Sequence, residues 1–364
     1  MQLSASIFLQ QENMNKRSLL SLLQPHTVEI YGLQDKVYTC TDVNARDLLH
    51  VSRFDLFAKL YYARNRTVFA TEALDVYVQH IKAFNPDMQE PGREDKVTIE
   101  AFISTYDYLL DYFKENDFDA SISLIPVDED GVILDGAHRV AALAYYGKSV
   151  TIVKFQGVKS KGPFDYRYFK ERGLSWKICD IIANEMSVWR EDILVACLWP
   201  KMGNAKCKDA GLGFLSIYYQ ICYTKDIAVN LKAVEKLVKY VYAGQPWVHH
   251  PESVMDKSVN CYGNTNKTLR VVVMQSSLSL DETIANKEAL RMKFDSGKHS
   301  IHITDNVDES RDILPLFLTQ EGLKKWNDES GSRKLMERIK ERWFYFKKIE
   351  LINLKVAIAR IVYR

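Results

Sequence analysis

The segment that most limits what this chain can become lies between Val132 and Gly147. An apolar run, Val132-Ile133-Leu134, reaches Asp135-Gly136 and passes at once into Ala137-His138-Arg139 and an alanine-rich stretch that ends at Gly147. An extended run that enters a helix without a linker needs a backbone turn that side chains resist, and Gly136 can take it. Gly147 is placed as a C-terminal cap. The first N–H groups of such a helix, at Ala137, His138 and Arg139, have no acceptor within it, and the helix dipole stands behind them. A turn of this kind holds an anion, phosphate above all. Arg139 adds a planar fork that matches phosphate oxygens, and His138 a proton carrier near neutral pH. Asp135 adds a carboxylate able to hold magnesium or orient a hydroxyl. A plain capped helix, with Asp135 as N-cap and His138 and Arg139 in solvent, satisfies the same spacing, because Asp-Gly turns are common.

The residues before the turn predict a mixed region. Thr27 to Tyr31 alternates like a strand, with Tyr38 to Asp42 extending it. Helices are expected from Leu48 to about Asn65, from Thr71 to Phe84 and from Thr98 to about Asn116, with a loop over Asp87 to Lys96. Then come a strand, Ile122 to Val127, a tight turn at Asp128-Glu129-Asp130-Gly131, a second strand, Val132 to Asp135, and a third, Val150 to Phe155. Asp55 and Lys59 on the first of these helices have the spacing of an ordinary i,i+4 surface pair.

The strand Ile125-Pro126-Val127, the run Gly131 to Ala142, Gly147 and the strand to Phe155 together resemble the ParB/sulfiredoxin superfamily. The likeness covers Ser121 to Phe155, with helical similarity upstream. It implies a nucleotide-phosphate site at the turn, on a fold that serves several activities. The sulfiredoxin branch needs a thiol inside the turn, where this chain has Ala137. The chromosome-segregation branch carries a helix-turn-helix module after the fold, and no basic recognition helix stands next to Phe155. The branch of small-hydroxyl kinases remains. The segment Arg53-Phe54-Asp55 to Lys59 ahead of such a domain is also similar to ParB-like proteins of surface-polysaccharide biosynthesis.

That resemblance implies a nucleotide- and Mg2+-dependent phosphotransferase, with ATP or ADP as donor and a small hydroxyl compound, such as a sugar in surface-glycan assembly, as acceptor. It makes Asp135 the metal ligand, and Asp135 and His138 catalytic. A kinase also needs a base near the acceptor hydroxyl, and Asp55 or Glu72 could supply it. Gly136, Ala137, His138, Arg139 and Arg53 would lie around the phosphates. The alternative is a nucleotide-gated or nuclease-like nucleic-acid binder.

Composition sets the surroundings. With 49 Lys and Arg against 47 Asp and Glu, the chain has no general pull toward nucleic acid. Positive charge concentrates from Ser332 to Arg364, where ten Lys or Arg meet three Glu, a net of +7 that leaves −5 for the rest. Interleaved with Trp343, Phe344, Tyr345 and Phe346, it reads as a basic amphipathic helix, packed on the protein or lying on an anionic membrane face. The six cysteines form no Cys-x-x-Cys pair and stand in apolar surroundings, which predicts reduced thiols and a cytoplasmic setting. No secretory signal and no run of about 18 apolar residues is evident.

Beyond a basic linker, Lys159 to Pro163, a second unit is expected. Helices are predicted at Asp165 to Arg172, Lys177 to Met186, Ala228 to Tyr242, Asp281 to Lys293 and Val307 to Leu318. Strands are predicted at Arg270 to Met274 and Ser300 to Thr304. The expected fold class is therefore α/β throughout: residues 1–158 a helical part plus the ParB/sulfiredoxin-like domain, 164–330 a second α/β domain, and 331–364 the basic helix. Polar side chains at the end of the Ser300–Thr304 strand, namely His302, Thr304 and Asp305, with Arg291 from the preceding helix, are the second set of candidates. A half-exposed edge strand followed by a well-capped helix, Asn306 with Glu309, accounts for the same residues. His249-His250 reads as a loop pair. Trp247 and Tyr262 read as packing, or as the lining of a sugar or base site.

Overall fold

The computed structural model describes residues 16–90, 92, 96–263, 267–294 and 297–327. The basic stretch 331–364 lies outside them. The chain is mixed α/β, with fourteen helices and two sheets among the described residues.

Two short helices, α1 (Lys16–Leu20) and α2 (Pro25–Tyr31), come first. A strand is expected where α2 stands. Pro25 supplies the fixed φ of a first helical turn, and Gly32 ends the helix at φ 57 with its N–H on the Glu29 and Val28 carbonyls. These end signals outweigh a short alternation of apolar residues. β1 (Tyr38–Asn44) follows as expected.

α3 (Phe54–Asn65), α4 (Ala70–Phe84) and α5 (Ile99–Glu115) make the helical layer. α3 starts later than its apolar spacing suggests, because a 3-10 turn occupies Ala45–Leu48. Ten of its twelve residues are buried, Asp55 and Lys59 among them, so α3 is an interior helix and not a surface one.

β2 (Ile125–Val127), α6 (Ala137–Tyr146) and β3 (Ser149–Phe155) complete the first sheet, ordered β1-β3-β2. β1 runs antiparallel to β3 from Tyr38 opposite Phe155 to Asn44 opposite Ser149, and β2 runs parallel to β3. The strand expected over Val132 to Asp135 is reduced to one bridge, Ile133 with Val127. Leu134 N–H donates to the Pro126 carbonyl at 2.9 Å, but Pro126 has no N–H to return the bond, and the ladder stops.

The rest of the chain supplies α7 (Tyr166–Glu171), α8 (Trp176–Trp189), β4 (Ile193–Leu198), α9 (Ala205–Tyr218), β5 (Gln220–Ala228), α10 (Leu231–Val241) and α11 (Pro251–Tyr262). β6 (Thr268–Gln275), α12 (Leu280–Lys293), β7 (Ile301–Ile303), α13 (Val307–Leu318) and α14 (Gln320–Trp326) follow. The sheet is ordered β5-β6-β4-β7, and every pairing in it is antiparallel. The helix expected from Ala228 begins at Leu231. Residues up to Ala228 belong to β5, and the Asn230 side chain accepts the Ala233 N–H as the N-cap.

One apolar core joins both sheets, running from Ala45 through Phe57, Val140 and Ile182 to Phe317 and Trp326. α3 packs on α6 and on α8. Arg190 donates to the Leu49 carbonyl at 2.6 Å, and the Tyr166 hydroxyl meets Thr224 Oγ1 at 2.9 Å. The linker Lys159 to Pro163 is therefore a crossing between two sheets that share packing. All six cysteines are free thiols, and no helix among the described residues is long and apolar enough to cross a membrane.

Candidate functional site

The turn between the Ile133 bridge and α6 has the geometry its glycine suggests. Gly136 is the N-cap of α6 at φ 85 and ψ 22, with no side chain accepting from the first helical N–H groups. A Cβ there would stand 2.5 Å from Ile125 Cδ1 and 3.0 Å from Arg139 Nη2. Asp135 does not cap the helix. Its carboxylate lies 3.4 Å from Arg139 Nη2, with both side chains partly open to solvent. No acidic residue occupies the first turn of this helix.

Arg53 and Asp55 are brought to the turn, but from inside. Arg53 Nε and Nη2 hold the two Asp55 oxygens at 2.8 and 3.0 Å, and Nη1 donates to the Ile133 carbonyl at 2.6 Å. Arg53 is 4% exposed, so it braces the strand that delivers the turn and does not face a phosphate. Lys59 Nζ adds a bond to Asp55 Oδ2 at 3.0 Å and meets His80 Nε2 at 3.3 Å. The surface pair expected of Asp55 and Lys59 is a buried one. Burial alone would raise the Asp55 carboxyl, but the Arg53 guanidinium and the Lys59 ammonium hold it well below the usual carboxylate range. With both oxygens taken, it is a structural anion and not the proton acceptor expected of it.

The proton inventory behind the turn can be read from donors and acceptors. Tyr77 Oη is 3.0 Å from the Phe102 carbonyl and 2.9 Å from His138 Nε2. A carbonyl only accepts, so the single Tyr77 proton goes to Phe102, and His138 must donate from Nε2–H. The lone pair of His138 is then on Nδ1. By the same logic His80 Nδ1–H donates to the Tyr77 carbonyl at 2.7 Å, and its Nε2 accepts from Lys59. Burial, then the Lys59 and Lys96 ammonium groups and His80, keep His138 well below the ordinary imidazole value. Burial and Lys59 do the same to His80. The His138 ring edges against Tyr106 and Tyr77, which stack on each other at 5.5 Å. Lys96, 3% exposed, pairs with Glu90 at 2.7 Å and lies over the Phe102 ring.

Tyr77, His80 and Lys96 were not legible as site residues. His80 and Tyr77 do stand three apart on one helix, and that spacing was the available signal. Glu72, the other expected base, is bonded to Tyr61 at 3.0 Å and Lys177 at 2.9 Å and belongs to the α3–α4–α8 junction instead.

Two neutral histidines, His80 buried and His138 partly buried, make the fold acid-labile. The unfolded chain binds protons on histidine below about pH 6.5, whereas the native state does not until well below that. Stability is therefore complete above about pH 6.5 and falls on acidification, at about 1.4 kcal/mol per pH unit for each histidine. Urea midpoints at pH 7 and at pH 5.5 check this, and no difference between them would remove the proton inventory given above.

The second set of candidates does a different job. His302 pairs with Cys197 across the sheet, and its Nε2 meets Glu309 Oε1 at 3.1 Å. Thr304 Oγ1 accepts the Val195 N–H at 2.9 Å and bonds Ser310 at 2.7 Å. Asp305 is held by Lys287 at 2.8 Å, and Arg291 by Glu288 at 2.6 Å. Asn306 caps α13, but the Glu309 carboxylate reaches the Asp305 N–H at 2.6 Å, one residue before the N-cap, so the capping box is only half made. His302, Thr304 and Asp305 thus fasten β7 to α13 and α12. The rule that places ligands beyond parallel strands does not apply to this antiparallel sheet.

Among the described residues no group of three or more His, Cys, Asp or Glu is placed to hold a metal. Asp135 alone fits the one or two carboxylates that Mg2+ takes from a protein when substrate phosphates supply the remainder. Comparisons with protein-family models, with curated proteins and with solved structures gave no match for this chain.

Proposed function

We propose that the chain is a nucleotide-dependent phosphotransferase that moves a phosphoryl group from ATP or ADP to a small hydroxyl compound, such as a sugar used in surface-glycan assembly. The observation that carries this reading is a neutral imidazole, fixed in one tautomer, at the second residue of a helix that has no side-chain cap and no acidic residue in its first turn. The likeness of Ser121 to Phe155 to the ParB/sulfiredoxin superfamily supports it, and the β2–turn–α6–β3 unit is compatible with that likeness.

In this reading the N–H groups of Ala137, His138 and Arg139 and the Arg139 guanidinium hold the phosphates. Asp135 would hold Mg2+, which supplies charge neutralisation along the transferring oxygens. Phosphoryl transfer asks mainly for positioning and charge compensation, so few groups are needed. His138 accepts the hydroxyl proton at Nδ1. Tyr77 keeps that nitrogen deprotonated by taking the Nε2–H bond, and the buried Arg53–Asp55–Lys59 cluster holds the frame.

Nucleotide consumption with Mg2+, screened over ATP, ADP, CTP and GTP with pooled sugars and hydroxy amino acids, tests the proposal. Acceptor-dependent turnover should be lost in Asp135→Asn, and nucleotide binding should weaken in Arg139→Gln. No nucleotide bound or consumed would refute it. Salt-sensitive retention on DNA in its place would point to the nucleic-acid-binding alternative.

A further inference from the structure

An open cleft of about 480 Å³ lies against the start of α11, lined by Trp247, Glu252, Ser253, Asp256 and Lys257. Four of these residues are ordered by the helix itself. Glu252 and Asp256 stand four apart, and so do Ser253 and Lys257. The first turns of α11 therefore present two carboxylates in one row and a hydroxyl and an ammonium in the next. Trp247 comes from the 3-10 turn Pro246–His249 just ahead of the helix. Its half-buried indole packs against the main core, with Tyr242 at 5.3 Å, and also lines the cleft.

The polar groups keep capacity for a ligand. Asp256 takes the Asn260 amide on Oδ1 at 3.1 Å, which leaves Oδ2 over. Lys257 Nζ donates to the Lys298 carbonyl at 2.6 Å and stands 5.0 Å from the centre of the Tyr242 ring. An ammonium carries three N–H groups, so the one bond to Lys298 does not exhaust it. Glu252 and Asp256 are both exposed.

The mixture of groups narrows the ligand. Two carboxylates against one ammonium disfavour a phosphate or a carboxylate, and Lys257 opposes a bare cation. A wholly apolar molecule would leave four polar side chains unmatched. An aromatic face edged by two acceptors, a donor and a hydroxyl matches a ring with C–H bonds on one face and hydroxyls around its rim.

We infer that this cleft binds a hexose unit, and an amine-bearing hexose in preference to a neutral one. One C–H face of the sugar lies on the Trp247 indole. Glu252 and Asp256 accept from its hydroxyls or its ammonium, Lys257 donates to a hydroxyl oxygen, and Ser253 does either. The site stands apart from the turn at Gly136 and needs neither nucleotide nor metal.

The test is a titration of the full chain, without nucleotide or Mg2+, with glucose, glucosamine and choline in turn. Saturation transfer from the protein to the ligand protons reports binding. Glucosamine should bind with a Kd of about 1 mM, and glucose more weakly. Transfer should be strongest on the C–H protons of one face of the sugar ring. Trp247→Ala should abolish it. Glu252→Gln and Asp256→Asn should each raise the apparent Kd by about tenfold, the loss of one hydrogen bond to a charged group. No transfer to either sugar overturns the site. Choline binding as tightly as glucosamine also overturns it, since the cleft would then select a cation and not a sugar. So does sugar binding that persists in Trp247→Ala with the circular dichroism of the wild type.

Discussion

Asp55→Ala is expected to be the most damaging single substitution in the first half of the chain. It removes the one carboxylate between Arg53 and Lys59, which are 4% and 3% exposed, and leaves two cations buried without a counter-charge. Removing one partner of a buried ion pair costs about 3–5 kcal/mol, against a total stability of about 5–15 kcal/mol for a typical domain. Arg53 would also lose the restraint that aims Nη1 at the Ile133 carbonyl, so the turn should loosen with the core. Denaturant unfolding of Asp55→Ala and Glu72→Ala separates this from a generic loss of an ion pair. Glu72 bonds Lys177 near the surface, where such pairs contribute about 1 kcal/mol or less. Equal losses in the two variants would show that Asp55 carries no special burden. The double change Asp55→Leu with Lys59→Met should recover part of the loss, because an apolar replacement leaves only Arg53 to be accommodated.

His138→Ala is expected to lower turnover by about 10²–10⁴-fold, the usual contribution of a positioned general base, with nucleotide affinity little changed. In the proposed reading backbone N–H groups hold the phosphates, and this substitution leaves those groups in place. Arg139→Gln should do the reverse, weakening nucleotide binding more than it slows the bound complex. Tyr77→Phe gives a third signature. Without the hydroxyl, His138 Nε2–H has no acceptor, both tautomers become accessible, and the acidic limb of the pH–rate profile should move. A His138→Ala enzyme that turns over like the wild type would remove the imidazole from the reaction, whatever the turn binds.

The turn was legible because local chemistry dictates it: an apolar run, a glycine and an alanine-rich helix leave one backbone path. The charged residues beneath it depart from the sequence expectation for an equally physical reason. Asp55 and Lys59 have the spacing of a solvated pair, and only the packing of α4, α6 and α8 around α3 puts them inside. Spacing along a helix says which residues meet, not what later segments cover. β5 went unread because Gln220 to Ala228 mixes polar and apolar residues on a strand with a bulge between Ile221 and Tyr223. α2 forms in place of a strand because the proline and glycine at its ends outweigh the apolar alternation of Thr27 to Tyr31. The direction of the second sheet lay beyond the sequence altogether, since alternating helices and strands fit either a parallel or an antiparallel arrangement.

The pairing of β1 with β3 has a consequence for how the chain comes into being. Val43 lies opposite Val150, so β1 must wait for more than a hundred further residues before it meets its neighbour. During synthesis α3, α4 and α5 leave the ribosome first and can gather through nearby contacts, while β1 stays an open edge. The sheet closes only once the turn at Gly136 and α6 have been delivered, because both lie between β2 and β3 in the sequence. A nascent chain stalled before Phe155 should therefore carry helices without a sheet. Chaperone binding during translation should peak in that interval and end when β3 emerges.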